Sequence, residues 1–282
     1  MPVTSGEEHG SMHEDTLQKP SITRRVSRTS TRAARVGSFA LETLSRLIVD
    51  TSPRSYEARA KELAWVAENM CALHGVRAVV RGQVPSKAAV LVANHVSYFD
   101  PLVIASLVPV VPVAKREVAD WPVVGNTCRK LGVQFVVRES ALSGARVLRA
   151  ALRALENDVS VLVFPEGTTT YGHDVLPFRR GIFGIAARAS VPVIPVALRY
   201  EREDVAWVGD ATFLPHYVRT MAQPCTRVSA DFLPAIYAAP GLLPEQIAQA
   251  ARLSIARALS SCAPMPTVVH PSESHARIAL AS

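Results

Sequence analysis

The chain has 282 residues, of which 49% are apolar, 20% charged and 6% aromatic, a composition that fits a globular α/β protein and excludes disordered and fibrous classes. Its formal charge of +7 is partly local. After an acidic stretch with Glu7, Glu8, Glu14 and Asp15, the residues Lys19, Arg24, Arg25, Arg28, Arg32 and Arg35 follow with no acid between them. Such an arm on a mildly basic body suits an anionic membrane surface, where each Lys or Arg contributes roughly 1 kcal/mol. Nucleic acid is not expected as a partner, since neither zinc-finger spacing nor aromatic-basic interleaving occurs.

The cysteines Cys71, Cys128, Cys225 and Cys262 form no Cys-x-x-Cys and read as reduced thiols in a cytosolic compartment. Thr23-Arg24-Arg25 begins like a twin-arginine signal, but Glu42 and Arg46 interrupt the apolar stretch that would have to follow. The best candidate for a membrane span, Pro101 to Ala114, is too short and contains Pro101, Pro109 and Pro112. A lipid-directed role therefore places the chain at the cytoplasmic face of a membrane, peripheral or monotopic, with no transmembrane helix.

Taken in order, residues 1–34 are rich in Ser, Thr, Arg and His and read as a disordered basic arm. A helical hairpin is expected over 35–75. Its first helix carries Val36, Phe39, Ala40, Leu44, Leu47 and Ile48 on one stripe, Pro53 breaks the chain, and the second carries Tyr56, Ala60, Leu63, Ala64, Ala67, Met70 and Cys71, stopping near Gly75. Packing on the core explains both stripes, and contact with a membrane is the second reading of the same surface. Residues 76–262 form the main domain. The runs Ala88–Ala93, Val110–Ala114, Val133–Val137, Val159–Phe164, Val193–Leu198 and Arg227–Phe232 read as strands, several apolar throughout as in strands buried on both faces. Helices are expected around Val147–Leu155, at Gly181–Ala189 and at Gln246–Leu259, which makes the domain α/β with a mostly parallel sheet covered by helices. Residues 263–282, with Pro264, Pro266 and Pro271, read as a disordered tail.

Two loops follow buried strands directly, which is where open α/β sheets place their sites. The first is Asn94-His95-Val96-Ser97-Tyr98-Phe99-Asp100. The spacing of His95 and Asp100 lets a turn bring the carboxylate onto the imidazole, fixing its tautomer and leaving the other ring nitrogen free to take a proton. The alternative is structural: Asp100 at the N-cap and Pro101 at the first position of a helix. The second loop is Phe164-Pro165-Glu166-Gly167-Thr168-Thr169-Thr170, a turn with exposed N–H groups suited to an oxyanion or phosphate. Gly167 and Gly172 have P-loop spacing, but His173 and Asp174 stand where that motif needs Lys and a hydroxyl residue, so a nucleotide is excluded. Between the loops come Lys115, Trp121-Pro122, Gly125 and the strand end Phe135-Val136-Val137-Arg138. Arg138 at that rim can grip a phosphate bidentately or simply be solvated.

These blocks, in this order, resemble the glycerolipid acyltransferases, of which 1-acylglycerol-3-phosphate acyltransferase is the central member. Asn94 to Pro101 matches the block Asn-His-x-Ser-x-x-Asp-Pro, and Phe164 to Thr168 matches Phe-Pro-Glu-Gly-Thr. Lys115, Pro122, Gly125 and Phe135 to Arg138 match the block between them, Val191 to Val196 matches Val-Pro-x-x-Pro-Val, and Phe178 to Gly181 looks like the Phe-Lys-x-Gly turn. The resemblance implies His95 as general base and Asp100 as its orienting partner, acting without a covalent acyl-enzyme. It implies Lys115, Arg138, Glu166, Gly167 and Thr168 as acceptor-binding residues, with Glu166 paired to a cation or accepting from a hydroxyl. It further implies an acyl thioester donor, coenzyme A or acyl-carrier protein, a lysolipid acceptor at a membrane surface, and no cofactor. The lead acceptor is 1-acylglycerol-3-phosphate, and the alternative is another lysolipid such as a lyso-aminolipid of the lyso-ornithine type. No metal is expected, because the site has one histidine and no second imidazole or thiolate at ligand spacing. His173 and His216 read as surface or structural residues. A lipid hydrolase would need an activated nucleophile, and Gly-x-Ser-x-Gly is absent. A non-catalytic membrane adaptor would have no use for His95 and Asp100 together.

Overall fold

The computed structural model describes residues 22–49, 54–239 and 241–261. Helices α1 (Ile22–Val49) and α2 (Tyr56–His74) lead into strands β1 (Val76–Gly82) and β2 (Val90–Ala93). There follow α3 (Asp100–Leu107), β3 (Val110–Lys115), α4 (Val124–Lys130), β4 (Gln134–Val136), α5 (Ala141–Glu156) and β5 (Ser160–Val163). Helix α6 (Gly181–Ala189), strand β6 (Val193–Tyr200), α7 (Phe213–Met221), β7 (Thr226–Phe232) and α8 (Pro244–Ser260) close the series.

Local chemistry sets several of these boundaries. Ser55 starts α2 by accepting from Ala58 N at 3.1 Å, and Ser140 starts α5 by accepting from Ser143 N at 3.2 Å. Gly75 ends α2 at φ 70°, a left-handed cap that a side chain adopts only under strain. A Cβ there would also press on Pro224 O and on the Arg32 guanidinium.

The seven strands lie in the order β1-β7-β6-β2-β5-β3-β4. β6, β2, β5, β3 and β4 are mutually parallel, whereas β7 runs antiparallel to β6 and pairs with β1 in parallel. Helices cover both faces, which is why strands such as β2 are apolar at every position. Side chains alternate across a strand, so Leu91 and Ala93 pack with Leu63, Val66, Ala67, Val103 and Ile104 on one face. Val90 and Val92 pack with Ala151, Ala154, Phe183, Ile247 and Ala251 on the other.

Each of the six strands expected from apolar runs is present, and the fold is α/β as expected. One strand, β1, and two helices, α4 and α7, were not anticipated. The expected disordered arm requires a correction: residues 22–34 are the first half of α1. Composition hides this because the helix there is held by its arginines rather than by an apolar stripe. Arg28 Nη1 donates to Ala222 O at 3.0 Å, and Arg32 donates to Met221 O at 3.0 Å, to Pro224 O at 2.8 Å and to Gln223 O. These carbonyls belong to the C-terminal end of α7 and the turn just after it, where unpaired acceptors and the helix dipole favour a cation. In the second half of α1, Thr43 and Leu47 are buried, while Ile48, expected on the inner stripe, is 54% exposed. The break at Pro53, the expected arm before residue 22 and the expected tail lie outside the described residues.

Cys71, Cys128 and Cys225 are free thiols, and burial pushes the first two up to about 12 and about 11. Cys262 lies outside the described residues. Among the described residues, no helix is long and apolar enough to cross a membrane.

Candidate active site

Because β6, β2, β5, β3 and β4 run the same way, their carboxyl ends share one rim of the sheet. That rim carries the loop after Ala93, the loop after Val163, Lys115 at the end of β3, Arg138 just past β4 and Tyr200 at the end of β6.

The first loop is fastened at its root. Asn94, fully buried, accepts from Leu198 N at 2.7 Å through Oδ1 and donates to Leu198 O at 2.9 Å through Nδ2. Beyond it the chain turns so that Asp100, also fully buried, faces back onto the loop. Its Oδ2 accepts from Val96 N at 2.6 Å, Ser97 N at 2.9 Å and His95 Nδ1 at 2.7 Å. Its Oδ1 accepts from the Tyr200 hydroxyl at 2.6 Å. Asp100 is thus not the cap of α3. Phe99 occupies the cap position and makes no side-chain cap bond.

A carboxylate can only accept, so this contact places the proton of a neutral His95 on Nδ1 and leaves the lone pair on Nε2. Nε2 has no hydrogen-bond partner among the described residues, and the side chain retains 21% exposure, enough for a reactant to reach it. The ring stacks on Phe164 with centroids 4.2 Å apart, which joins the two loops.

Backbone bonds join them further. Thr170 N donates to His95 O at 2.8 Å, and Glu166 Oε1 accepts from His95 N at 2.8 Å. Glu166 Oε2 accepts from Leu176 N at 2.8 Å. Glu166 is thus a buried clamp on two backbone N–H groups. Burial raises its carboxyl above the usual range, and the two backbone bonds oppose that shift.

Gly167, at φ 78°, lies against Arg179, since a Cβ there would sit 3.1 Å from Arg179 Nε. Arg138 is near the same place. Burial lowers its guanidinium first, and the neighbouring Arg179 cation lowers it further, against the opposing pull of Glu117 and Glu139. Neither Arg138 nor Arg179 has a hydrogen-bonded or ion-paired acid among the described residues. Two such cations beside a glycine turn form an anion cradle. Thr168 is exposed in that loop. Lys115 is exposed and paired with Glu117 at 2.9 Å, so it reaches the cradle only through that acid.

The structure therefore unites His95 with Asp100, sets Gly167 beside Arg179 with Arg138 near that cation, and leaves Lys115 at the edge. Sequence reasoning missed Tyr200 and Arg179. The resemblance picked out the turn containing Arg179, but nothing marked Tyr200. His173 is exposed and lies 3.5 Å from Glu203. His216 is buried, with Nε2 near Ala206 O at 3.1 Å and Nδ1 near the Tyr98 hydroxyl at 3.2 Å. Among the described residues, no three His, Cys, Asp or Glu side chains gather as a metal site.

The fold is that of a solved acyltransferase. The crystal structure of the 1-acyl-sn-glycerophosphate acyltransferase from Thermotoga maritima superposes with a TM-score of 0.61 at 22% identity, covering 84% of this chain and 95% of that one. Residues 75–199 match the family model described as Acyltransferase. A lyso-ornithine lipid O-acyltransferase of Rhizobium meliloti is 34% identical over 57% of this chain and 62% of its own length. A protein of the same name from Pseudomonas aeruginosa is 33% identical over 58% and 65%. The human 1-acyl-sn-glycerol-3-phosphate acyltransferase alpha is 39% identical over 45% and 47%. The chain thus spans less than two thirds of the length of each of these relatives.

Proposed function

We propose that the protein is an O-acyltransferase that moves an acyl chain from a thioester, coenzyme A or acyl-carrier protein, to the free hydroxyl of a lysolipid. The observation that carries this reading is the 2.7 Å contact of His95 Nδ1 with Asp100, which leaves Nε2 basic and reachable. Nε2 takes the hydroxyl proton as the oxygen attacks the thioester carbonyl. The imidazolium that forms is stabilised by the Asp100 charge. When the tetrahedral intermediate collapses, the C–S bond breaks, and the departing thiolate takes the proton back from His95. The products are an ester and a free thiol. No covalent acyl-enzyme is required, and no Ser, Thr or Cys is hydrogen-bonded to His95 Nε2 among the described residues, as a hydrolase triad would need. No metal enters these steps, since both oxygens of Asp100 and of Glu166 are engaged by N–H or O–H donors. Activity is expected to survive chelation.

The acceptor we favour is 1-acylglycerol-3-phosphate, because the Arg138–Arg179 pair suits a phosphate monoester. A lyso-ornithine lipid is the second reading, supported by the names of two relatives. Both lie in a bilayer, and the protein would meet them at the cytoplasmic face as a peripheral protein. The Arg-rich start of α1 and the exposed Leu41, Ile48, Val49, Leu214 and Val218 support that placement. The test is to offer purified protein acyl-coenzyme A or acyl-carrier protein with a panel of lysolipids, alongside His95→Ala. Ester formation that disappears in the variant is the expected result. If no acceptor is acylated, the reading fails.

A further inference from the structure

Tyr200 is the last residue of β6, two positions beyond Leu198, so both side chains leave the strand on the same face. Asn94 fastens the root of the His95 loop to Leu198, and the Tyr200 hydroxyl reaches Asp100 Oδ1 at 2.6 Å. The ring keeps some exposed surface, but the hydroxyl is enclosed, and burial together with the adjacent Asp100 charge pushes it well above its usual range. It therefore stays a donor across the working pH range. Asp100 Oδ1 has no other donor among the described residues, whereas Oδ2 has three. Without Tyr200, one oxygen of a fully buried carboxylate would be unsatisfied.

We propose that Tyr200 is a positioning residue of the site, holding Asp100 Oδ1 so that Oδ2 stays aimed at His95 Nδ1 and drawing charge away from that contact. This rests on the acyl-transfer reading for its effect on turnover, but its effect on His95 does not depend on any substrate. Draining charge from Oδ2 weakens its hold on an imidazolium formed at His95. The other titratable groups around the dyad are Glu166, on the His95 backbone, and Tyr98 and Cys71 behind Tyr200. Burial pushes Tyr98 and Cys71 each up to about 12, so neither changes charge near neutrality. Burial raises Glu166, and substitution of Tyr200 leaves its two backbone bonds untouched.

The experiment is an NMR titration of the imidazole nitrogens in the full chain, with the His95 signal assigned by its loss in His95→Gln. Tyr200→Phe should raise the titration midpoint of His95 by about half a pH unit or more. Replacing Tyr200 with 3-fluorotyrosine, whose hydroxyl is a stronger donor of nearly the same shape, should move it the opposite way. In acyl transfer, Tyr200→Phe should lower kcat about tenfold while leaving KM for donor and acceptor within twofold. The acid limb of the pH profile should move up with the His95 midpoint. Unchanged midpoints in both variants, with circular dichroism showing both folded, would overturn the proposal. If Tyr200→Phe does not fold, the fluorotyrosine variant alone decides by the sign of its shift. Midpoint shifts in a chain that acylates nothing would uphold Tyr200 while refuting the acyl-transfer reading.

Discussion

The side chain of Asn94 pairs with the backbone of Leu198 as though it were one more residue of the β2–β6 ladder, accepting at 2.7 Å and donating at 2.9 Å. The last regular pair of that ladder is Ala93 with Val196, so the amide replaces the next rung at the point where the chain must leave the sheet to form the site. Asn94→Ala would strand a buried N–H and a buried C=O. The expected cost is about 2–4 kcal/mol in urea unfolding, accompanied by a loss of turnover. A loss below about 1 kcal/mol would mean that water or a shifted strand replaces the amide.

Asp100→Asn tests charge against shape. An amide can turn its oxygen to the three N–H donors and its NH2 to the Tyr200 oxygen, so the loop should survive. What it loses is the charge that stabilises the imidazolium, and kcat should fall about 10⁴-fold with near-wild-type stability. A fully active but less stable variant would show that Asp100 serves only to shape the turn.

Arg138→Lys distinguishes the acceptors. Lysine keeps the charge but cannot make two parallel hydrogen bonds to a phosphate. With 1-acylglycerol-3-phosphate, the acceptor KM should rise about tenfold or more, since a charge-assisted contact is worth roughly 1.5–3 kcal/mol. The donor KM should not change. Wild-type behaviour with this acceptor, together with better use of lyso-ornithine lipid, would transfer the assignment to the second reading.

Membrane binding should depend on arginines of α1 that face outward. Arg25 and Arg35 are exposed, whereas Arg28 and Arg32 are engaged with α7. Changing Arg25 and Arg35 together to Ala should weaken co-sedimentation with anionic vesicles by about 2 kcal/mol, roughly 30-fold at low salt. The difference should shrink as salt screens it. Arg32→Ala should instead lower stability, because it exposes the end of α7. Equal vesicle binding by the double variant and the wild type would place attachment elsewhere.

What the sequence made legible follows from how each element is held. β2, β5 and β6 are buried on both faces, and their unbroken apolar runs announced them. β1 is an edge strand with Arg77 exposed and Arg81 paired with Asp231 of β7, and it blended into the end of the hairpin. α7 carries Pro215 within its first turn and polar residues throughout, with a buried His216 in place of an aliphatic stripe. The His95–Asp100 pair was readable because both residues lie in one short loop. Tyr200 was not, because its role depends on β6 lying beside β2, and strand order is a property of the sheet rather than of any local pattern. The clamp made by Glu166 was hidden for a related reason: its two partners, His95 N and Leu176 N, are backbone groups that no residue type advertises.

The pairing of β1 with β7 also sets an order of events during synthesis. Val76 finds its partner Thr226 only after roughly 150 further residues have been made, about 8–30 s at ordinary rates of elongation. The carbonyls that receive Arg28 and Arg32 emerge at almost the same late moment. Until then, the first sheet strand to leave the ribosome has both edges open, and the basic start of the helix before it lacks the carbonyls on which it docks. For that interval the nascent chain presents its most cationic segment undocked, and an anionic bilayer near the ribosome could capture it before the domain behind it is complete.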